Sequence, residues 1–189
     1  GGAGPQRNRQ GRTDPQRTVT EPARIVLIGF MGSGKSTVGP LLAKLLEWDF
    51  VDLDTLVEAR AGCPVSAIFE TRGEGEFRSL ESTCLNDLAG RSRVVVATGG
   101  GAPLGSVNRW FFLDAGTAVF HLRVSLDQAL ARTRGDASRP LLARGSDEVH
   151  RLYESRLPGY RQLGTDIDTD GRTPEAVAAE IAARISPRR

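Results

Sequence analysis

The chain is poor in cysteine, in long apolar runs and in net charge, and each shortage excludes a class of protein. Two cysteines, Cys63 and Cys84, are too few for a disulfide framework or a metal cluster. No apolar run is long enough to cross a bilayer and no signal peptide is visible, so we expect a cytoplasmic protein without a membrane partner. The net charge of +2 is too small to indicate a nucleic-acid partner.

Lysine is also scarce, because Lys35 and Lys44 are the only two in 189 residues and the other basic side chains are arginine. Arginine binds carboxylates and phosphates through a fork of donors. The composition, 39% apolar and 25% charged, is that of an ordinary globular protein. The length suits one domain with a sizeable core.

The chain divides into one domain and two tails. Residues 1–23 are rich in Gly, Arg, Gln and Pro, with Val19 as the single large aliphatic side chain. Such a segment cannot bury enough surface to offset its ordering entropy, so we predict a disordered tail, part of which could be an expression tag. The domain is predicted over residues 24–186, and 187–189 form a C-terminal tail.

Apolar runs alternate with helical patterns along this domain. The strands are predicted at IVLIG, FVDLD, VVVA, AVFHL and DIDT. Among the helices, one is interrupted near Gly73 and Gly75, one is kinked or broken at Pro158, and the last begins at Pro174. Strands that alternate with helices indicate a parallel sheet covered on both faces, which is a three-layer α/β/α architecture.

The stretch GFMGSGKSTVG, residues 29–39, predicts a phosphate site. Gly29, Gly34, Lys35 and Ser36 fit the pattern G-x-x-x-x-G-K-[ST], which here follows a strand and opens a helix. The backbone N–H groups and the helix N-terminus face the phosphates, the lysine reaches them, and the serine hydroxyl helps to hold Mg²⁺. The alternative is a chance match in a glycine-rich turn.

Two carboxylates, Asp52 and Asp54, end the second strand on one side of it. The carboxyl edge of such a sheet is where ligands bind, and phosphoryl transfer needs one carboxylate near Mg²⁺ and one near the acceptor hydroxyl. The alternative, equally weighted, is that Asp54 caps the next helix.

Three further features have a structural alternative. Gly99–Gly101 follow the third strand and leave room for close approach, although a flexible turn explains them alone. Glu81 lies three residues after Arg78 and can orient it, or the two form an ordinary surface ion pair.

Arginines bracket the polar stretch at 135–146, as in a lid that closes over ATP or as in a solvated loop. They are Arg132, Arg134, Arg139 and Arg144, and Arg156 follows on a helix.

The succession of these motifs resembles the shikimate kinase family over roughly residues 24–185. The matching segments are GFMGSGKSTVG, FVDLD, GEGEFRSLE, VVATGGGA, RPLL, the arginine before P-x-Y, and DTDGRTPE. The resemblance implies a small P-loop kinase with a five-stranded parallel sheet of order 2-3-1-4-5 and a mobile lid at about 133–146. It also implies transfer of the γ-phosphoryl group of ATP to the 3-hydroxyl of shikimate, with Mg²⁺ as cofactor, by a monomer.

The resemblance implies roles on the acceptor side. Asp54 would hold the acceptor hydroxyls and orient or deprotonate the attacking one. Arg78 and Arg156 would clamp the shikimate carboxylate, with Glu81 supporting Arg78. The backbone N–H groups of Gly99, Gly100 and Gly101 would cradle the substrate.

On the nucleotide side, Lys35 would bridge the phosphates, Ser36 would ligate Mg²⁺ directly and Asp52 would do so through water. Arg139 would be the lid arginine, and Arg132, Arg172 and Pro174 would enclose the adenine. The residues implied to bind ATP are Gly32, Ser33, Gly34, Lys35, Ser36, Thr37, Arg132, Arg139, Arg172 and Pro174.

The sequence departs from the family pattern at Gly159, where a bulkier aliphatic residue is usual, so we expect a looser helix around Arg156. Gly135 and Asp136 also make the lid sequence individual. Two rival functions stay open. One is a related kinase acting on gluconate or a nucleotide, which need not combine DLD, FRSLE and GGG. The other is a nucleotide-binding regulator without catalysis.

Overall fold

The computed structural model of the chain describes residues 21–133 and 145–185. The predictions for residues 1–20, for the lid around Arg139 and for the C-terminal tail lie outside the described residues. The described residues form five strands, namely β1 Arg24–Ile28, β2 Asp49–Asp52, β3 Val94–Ala97, β4 Thr117–Arg123 and β5 Thr165–Asp168. The α-helices of the described residues are α1 Lys35–Leu46, α2 Leu53–Ala61, α3 Val65–Ala89, α4 Arg109–Leu113, α5 Leu126–Thr133, α6 Ser146–Leu163 and α7 Pro174–Ile185.

The five strands form one parallel sheet in the order β2-β3-β1-β4-β5, as predicted. The central strand β1 is fully buried, and its Ile25 pairs with Val95 of β3 and Ala118 of β4. Because all strands run the same way, their carboxyl ends share one edge of the sheet. The loops that leave this edge therefore meet.

Alternate residues of β1 face two separate apolar cores, which makes the three layers. Ile25 and Leu27 lie in a core with side chains of α1 and α7, whereas Val26 and Ile28 lie in a core with α2, α3, α4 and α6. This alternation follows from the two-residue period of a strand. Among the described residues, no helix is both long and apolar enough to cross a membrane.

Two helix predictions have different outcomes. The break at Gly73 is confirmed, because this residue has φ 80° and ψ 171° inside α3. For Pro158 the sequence predicts a kink or a break, and the break is wrong, because α6 continues through Pro158 to Leu163. Proline removes one backbone hydrogen bond, and α6 is held on both sides of it by the buried side chains of Val149 and Tyr160. The short helix α4 was not predicted, since five residues give no periodic signal.

A buried arginine ties together the elements at the amino edge of the sheet, where β1 and β4 begin. Nε of Arg24 donates to Oγ1 of Thr117 at 2.7 Å, and one Nη donates to Oδ2 of Asp114 at 2.5 Å. The other Nη donates to the carbonyl oxygens of Ala89 and Arg91. With 6% of its surface exposed, Arg24 acts as an internal crosslink between α3, β1 and the turn before β4.

Candidate active site

The glycine loop between β1 and α1 is wound around the amine of Lys35. Gly34 precedes α1 in the left-handed conformation, with φ 94°, which places Lys35 first in the helix. Nζ of Lys35 donates to the carbonyl oxygens of Gly29 at 2.8 Å and Phe30 at 2.9 Å, and to Oγ of Ser33 at 3.2 Å. The cation and the helix N-terminus therefore lie at one place, which is an electrostatic environment for phosphate.

Ser36 and Asp52 join the glycine loop to β2. Oγ of Ser36 donates to Oδ2 of Asp52 at 2.8 Å. The other carboxylate oxygen accepts from the backbone N–H groups of Asp54 at 3.0 Å and Thr55 at 3.4 Å, so Asp52 is the N-cap of α2. The alternative cap at Asp54 is therefore wrong. A hydroxyl and a carboxylate side by side are hard oxygen donors, and this donor set fits Mg²⁺.

The side chain of Asp54 does not cap α2 and lies close to the glycine turn Gly99–Gly101 that follows β3. Burial raises the pKa of Asp54, the nearby Asp52 charge raises it further, and Lys35 opposes the rise. A Cβ atom built on Gly99 would lie 2.8 Å from Oδ1 of Asp54, so any larger residue at this position would displace the carboxylate. A carboxyl with a raised pKa is a stronger base, which suits proton transfer from a hydroxyl.

Arg78 reaches the same turn from α3. A Cβ atom on Gly101 would lie 2.5 Å from Nη2 of Arg78. Nη1 donates to Oε2 of the fully buried Glu81 at 3.0 Å, as the spacing predicted. Burial raises the pKa of Glu81, while Arg78 lowers it. Nε and Nη2 of Arg78 both point at Oε1 of the exposed Glu74, at 3.3 and 3.2 Å, and this contact was missed although i−4 spacing could have found it.

Arg156 reaches the turn from α6 and completes the convergence. A Cβ atom on Gly100 would lie 2.9 Å from Nη1 of Arg156 and 3.2 Å from Oη of Tyr160. The guanidinium of Arg156 also lies 5.8 Å from the ring centroid of Phe30 in the glycine loop. Gly99, Gly100 and Gly101 thus approach three different charged side chains, so the turn is a packed junction. The alternative of a merely flexible turn does not describe it.

One of the two arginines predicted near the adenine lies beside the glycine loop, and the other lies on the segment between β5 and α7. Arg132 of α5 donates to the carbonyl oxygen of Gly32 at 3.2 Å and to that of Thr169 at 2.7 Å, so it bridges the glycine loop and the segment after β5. Arg172 pairs with Glu180 at 2.6 Å.

Some of the other residues predicted to bind ATP lie within the described part of the chain, and others do not. Pro174 begins α7, and Thr37 lies exposed in the first turn of α1. Arg139 lies outside the described residues, as do Arg134 and Arg144.

The parallel sheet, the glycine loop and the adjoining carboxylates define a P-loop kinase that acts on a small molecule. A model of the shikimate kinase family matches residues 31–186. The chain is 48% identical to the shikimate kinase of Moorella thermoacetica over 161 residues, which cover 85% of this chain and 92% of that relative. The chain belongs to the shikimate kinase family and is an enzyme of the kinase class.

Solved structures agree with this assignment. The shikimate kinase of Acinetobacter baumannii, solved in complex with shikimate, is 37% identical with a TM-score of 0.81. The match covers 88% of this chain and 93% of that one. A gluconokinase of Sinorhizobium meliloti is similar only in fold, at 20% identity and a TM-score of 0.56, with 87% of this chain and 92% of that one covered.

Proposed function

We propose that this chain transfers the γ-phosphoryl group of ATP to the 3-hydroxyl of shikimate, giving shikimate 3-phosphate and ADP in the biosynthesis of aromatic amino acids. The observation that carries the proposal is the approach of Asp54, Arg78 and Arg156 to one glycine turn beside the phosphate loop. Shikimate is a ring with one carboxylate and several hydroxyl groups. Two arginines suit the carboxylate and one aspartate suits the hydroxyls.

On the acceptor side, Arg78 and Arg156 hold the carboxylate, and the N–H groups of Gly99–Gly101 hold the ring oxygens. Asp54 holds the 3-hydroxyl and accepts its proton as the oxygen bonds to the γ-phosphorus, while the bond from that phosphorus to the leaving ADP oxygen breaks. The raised pKa of Asp54 supports this role. Burial of Glu81 beneath Arg78 supports a positioning role, because the pair fixes one edge of the guanidinium.

On the nucleotide side, the amine of Lys35 exchanges its loop acceptors for phosphate oxygens and stabilises the charge that develops on them. Ser36 and Asp52 would hold Mg²⁺, the serine directly and the aspartate through water, and the ion would neutralise phosphate charge. The loop residues Gly32, Ser33, Gly34 and Thr37 line the phosphates. Arg132, Arg172 and Pro174 enclose the adenine, and the lid arginine Arg139 reaches the γ-phosphate when the lid closes.

The experiment is ADP release from Mg-ATP by the purified chain, with shikimate, gluconate or a nucleoside monophosphate as acceptor, or with none. We expect that, of these acceptors, only shikimate strongly stimulates ADP release. Stimulation by gluconate or a nucleotide instead would favour the related kinases. ATP binding without turnover on any acceptor would favour the inactive regulator.

We further propose that the enzyme is monomeric and cytoplasmic. Light scattering after gel filtration tests the first statement, and a mass of two chains would contradict it. Fractionation of the source cells tests the second, and recovery with membranes would contradict it.

A further inference from the structure

Tyr160 is a buried tyrosine whose hydroxyl lies at the glycine turn Gly99–Gly101, the acceptor turn, and none of the proposed roles uses it. Its side chain is fully buried on α6, one helical turn after Arg156. Its Oη donates to the carbonyl oxygen of Gly100 at 2.6 Å. Residues four apart on a helix lie on one face, so the tyrosine and the arginine approach the turn together.

The hydroxyl remains a donor at any ordinary pH. Burial raises the pKa of Tyr160 to about 12, and the charge of Arg156 and its hydrogen bond with the hydroxyl oppose the rise. The phenol therefore keeps its proton while the enzyme works. The ring is fixed from behind by His121, whose ring centroid lies 5.0 Å away and whose Nδ1 is 2.7 Å from Oδ1 of Asp166.

A second contact joins the same two elements. A Cβ atom on Gly159 would lie 2.4 Å from Cδ2 of Leu104, which belongs to the turn that continues Gly99–Gly101. The leucine side chain thus occupies the space left by the glycine, and the position is packed. This contact argues against the looser helix expected from the family departure, which stays a prediction. Two consecutive positions of α6 therefore contact this turn and its continuation, Gly159 through Leu104 and Tyr160 through Gly100.

Gly100 also touches the phosphate loop. A Cβ atom on it would lie 3.5 Å from the carbonyl oxygen of Gly29, which accepts from Lys35. The peptide held by Tyr160 therefore lies close both to Arg156 and to the phosphate loop. A shift of this peptide would move the acceptor groups relative to the phosphates.

We propose that Tyr160 is a positioning residue for the acceptor, whose hydrogen bond to Gly100 keeps the glycine turn and Arg156 in one fixed relation. The inference rests on the proposed function, because it concerns the affinity for shikimate. It assigns the tyrosine no contact with the reacting atoms. Its effect is carried by the backbone of Gly100 and the guanidinium of Arg156.

The test is Tyr160→Phe, which removes only the hydroxyl, with Tyr153→Phe as the matched control. Tyr153 lies on the same helix and also donates to a backbone carbonyl, that of Val124, at 2.7 Å. Both variants lose a hydrogen bond to a backbone carbonyl, and Tyr160→Phe also loses the contact of the hydroxyl with Arg156. We expect Tyr160→Phe to raise the shikimate KM by about 3- to 10-fold, with the ATP KM unchanged, and Tyr153→Phe to change neither.

Unchanged shikimate KM in Tyr160→Phe would overturn the inference, as would an equal rise of both KM values or the same rise in the control. A second measurement compares Tyr160→Phe in the wild-type and Arg156→Ala backgrounds. We expect less than a twofold effect in the second, and full additivity would contradict action through Arg156. Wild-type enzyme without shikimate turnover would instead overturn the proposed function, and the inference with it.

Discussion

Arginine and aspartate occur at both edges of the sheet, but they have different roles at the amino edge and at the carboxyl edge. At the amino edge, the guanidinium of Arg24 is enclosed by carbonyls, a hydroxyl and Asp114, and it is almost inaccessible. At the carboxyl edge, Arg78 and Arg156 are half-buried and lie against a turn that has no side chains. The first arrangement stabilises the fold, and the second leaves donors for a ligand. The role of an arginine in this fold therefore follows from how far its guanidinium is buried and paired, and not from the residue type alone.

The largest contrast is expected between the two lysines, which lie towards opposite ends of α1. Lys35→Ala should lower kcat by about 10³-fold, because the proposed mechanism assigns its amine to the charge that develops on the phosphates. Lys44→Ala is the matched control at the exposed amino-edge end of the helix and should leave kcat unchanged. Steady-state ADP release measures both. Near wild-type turnover in Lys35→Ala would remove the lysine from the proposed mechanism.

Replacement of Asp54 at the carboxyl edge and of Asp114 at the amino edge should change the free energy of unfolding at neutral pH in opposite directions. Asp54→Asn is expected to lower kcat by about 10²-fold, since the base is lost, and yet to raise the free energy of unfolding at neutral pH. Burial raises the pKa of Asp54, so the folded state holds its proton more tightly than the unfolded state does. Its contribution to stability is present below the unfolded-state pKa and is lost as the pH rises through the folded-state pKa.

Asp114→Asn is the amino-edge counterpart of Asp54→Asn. The hydrogen bond from Arg24 lowers the pKa of Asp114, so this carboxylate contributes stability above its unfolded-state pKa and loses it as the pH falls through the lowered pKa. Urea denaturation at several pH values should show destabilisation by Asp114→Asn at neutral pH and none at low pH. Equal signs for the two variants at neutral pH would contradict the contrast.

Replacement of Arg78 should change the affinity for shikimate, whereas replacement of Arg24 should change the stability of the fold. Arg78→Ala is expected to raise the shikimate KM by about 30-fold with little change in the ATP KM, because a carboxylate loses its fork of donors. Arg24→Ala should lower the free energy of unfolding by about 2–3 kcal/mol, because buried acceptors lose a charged donor, and should leave both KM values unchanged. An equal rise of both KM values in Arg78→Ala would argue against the acceptor clamp.

The smallest effect concerns the exposed carboxylate of Glu74, which accepts from the Nε and Nη2 edge of Arg78 in the ligand-free enzyme. The proposed clamp assigns these donors to the shikimate carboxylate, so Glu74→Gln should lower the shikimate KM by about 1.5- to 5-fold. Glu76→Gln removes the same charge two residues along the chain and should have no effect. Equal changes in the two variants would mean that overall charge is responsible, not competition for the arginine.

Much of the fold and the site could be predicted from local patterns. The limits of β3 and of α7 agree with the apolar run VVVA and with the proline at position 174. The pair of Arg78 and Glu81 followed from helical spacing alone. These features depend on residues close in sequence, and so their physical cause is visible in the sequence.

The features that were missed depend on distant residues or on competition between near ones. The bond from Tyr160 to Gly100 spans 60 residues, and no local pattern encodes it. Both Asp52 and Asp54 had the chemistry of a cap, and only the geometry of β2 decides that the first one caps α2. Pro158 continues its helix because tertiary packing compensates for one lost hydrogen bond.

The turn Gly99–Gly101 has a consequence for genetic variation in this protein. Every single-base missense change of a glycine codon introduces a side chain with a Cβ atom, and at each of these three positions that atom would meet a charged group of the acceptor site. Gly105 is close by, and there the nearest atom to such a Cβ would be 3.8 Å away. A complete mutational scan under selection for growth should therefore show three adjacent positions where every replacement is lost, followed shortly by one where small replacements survive.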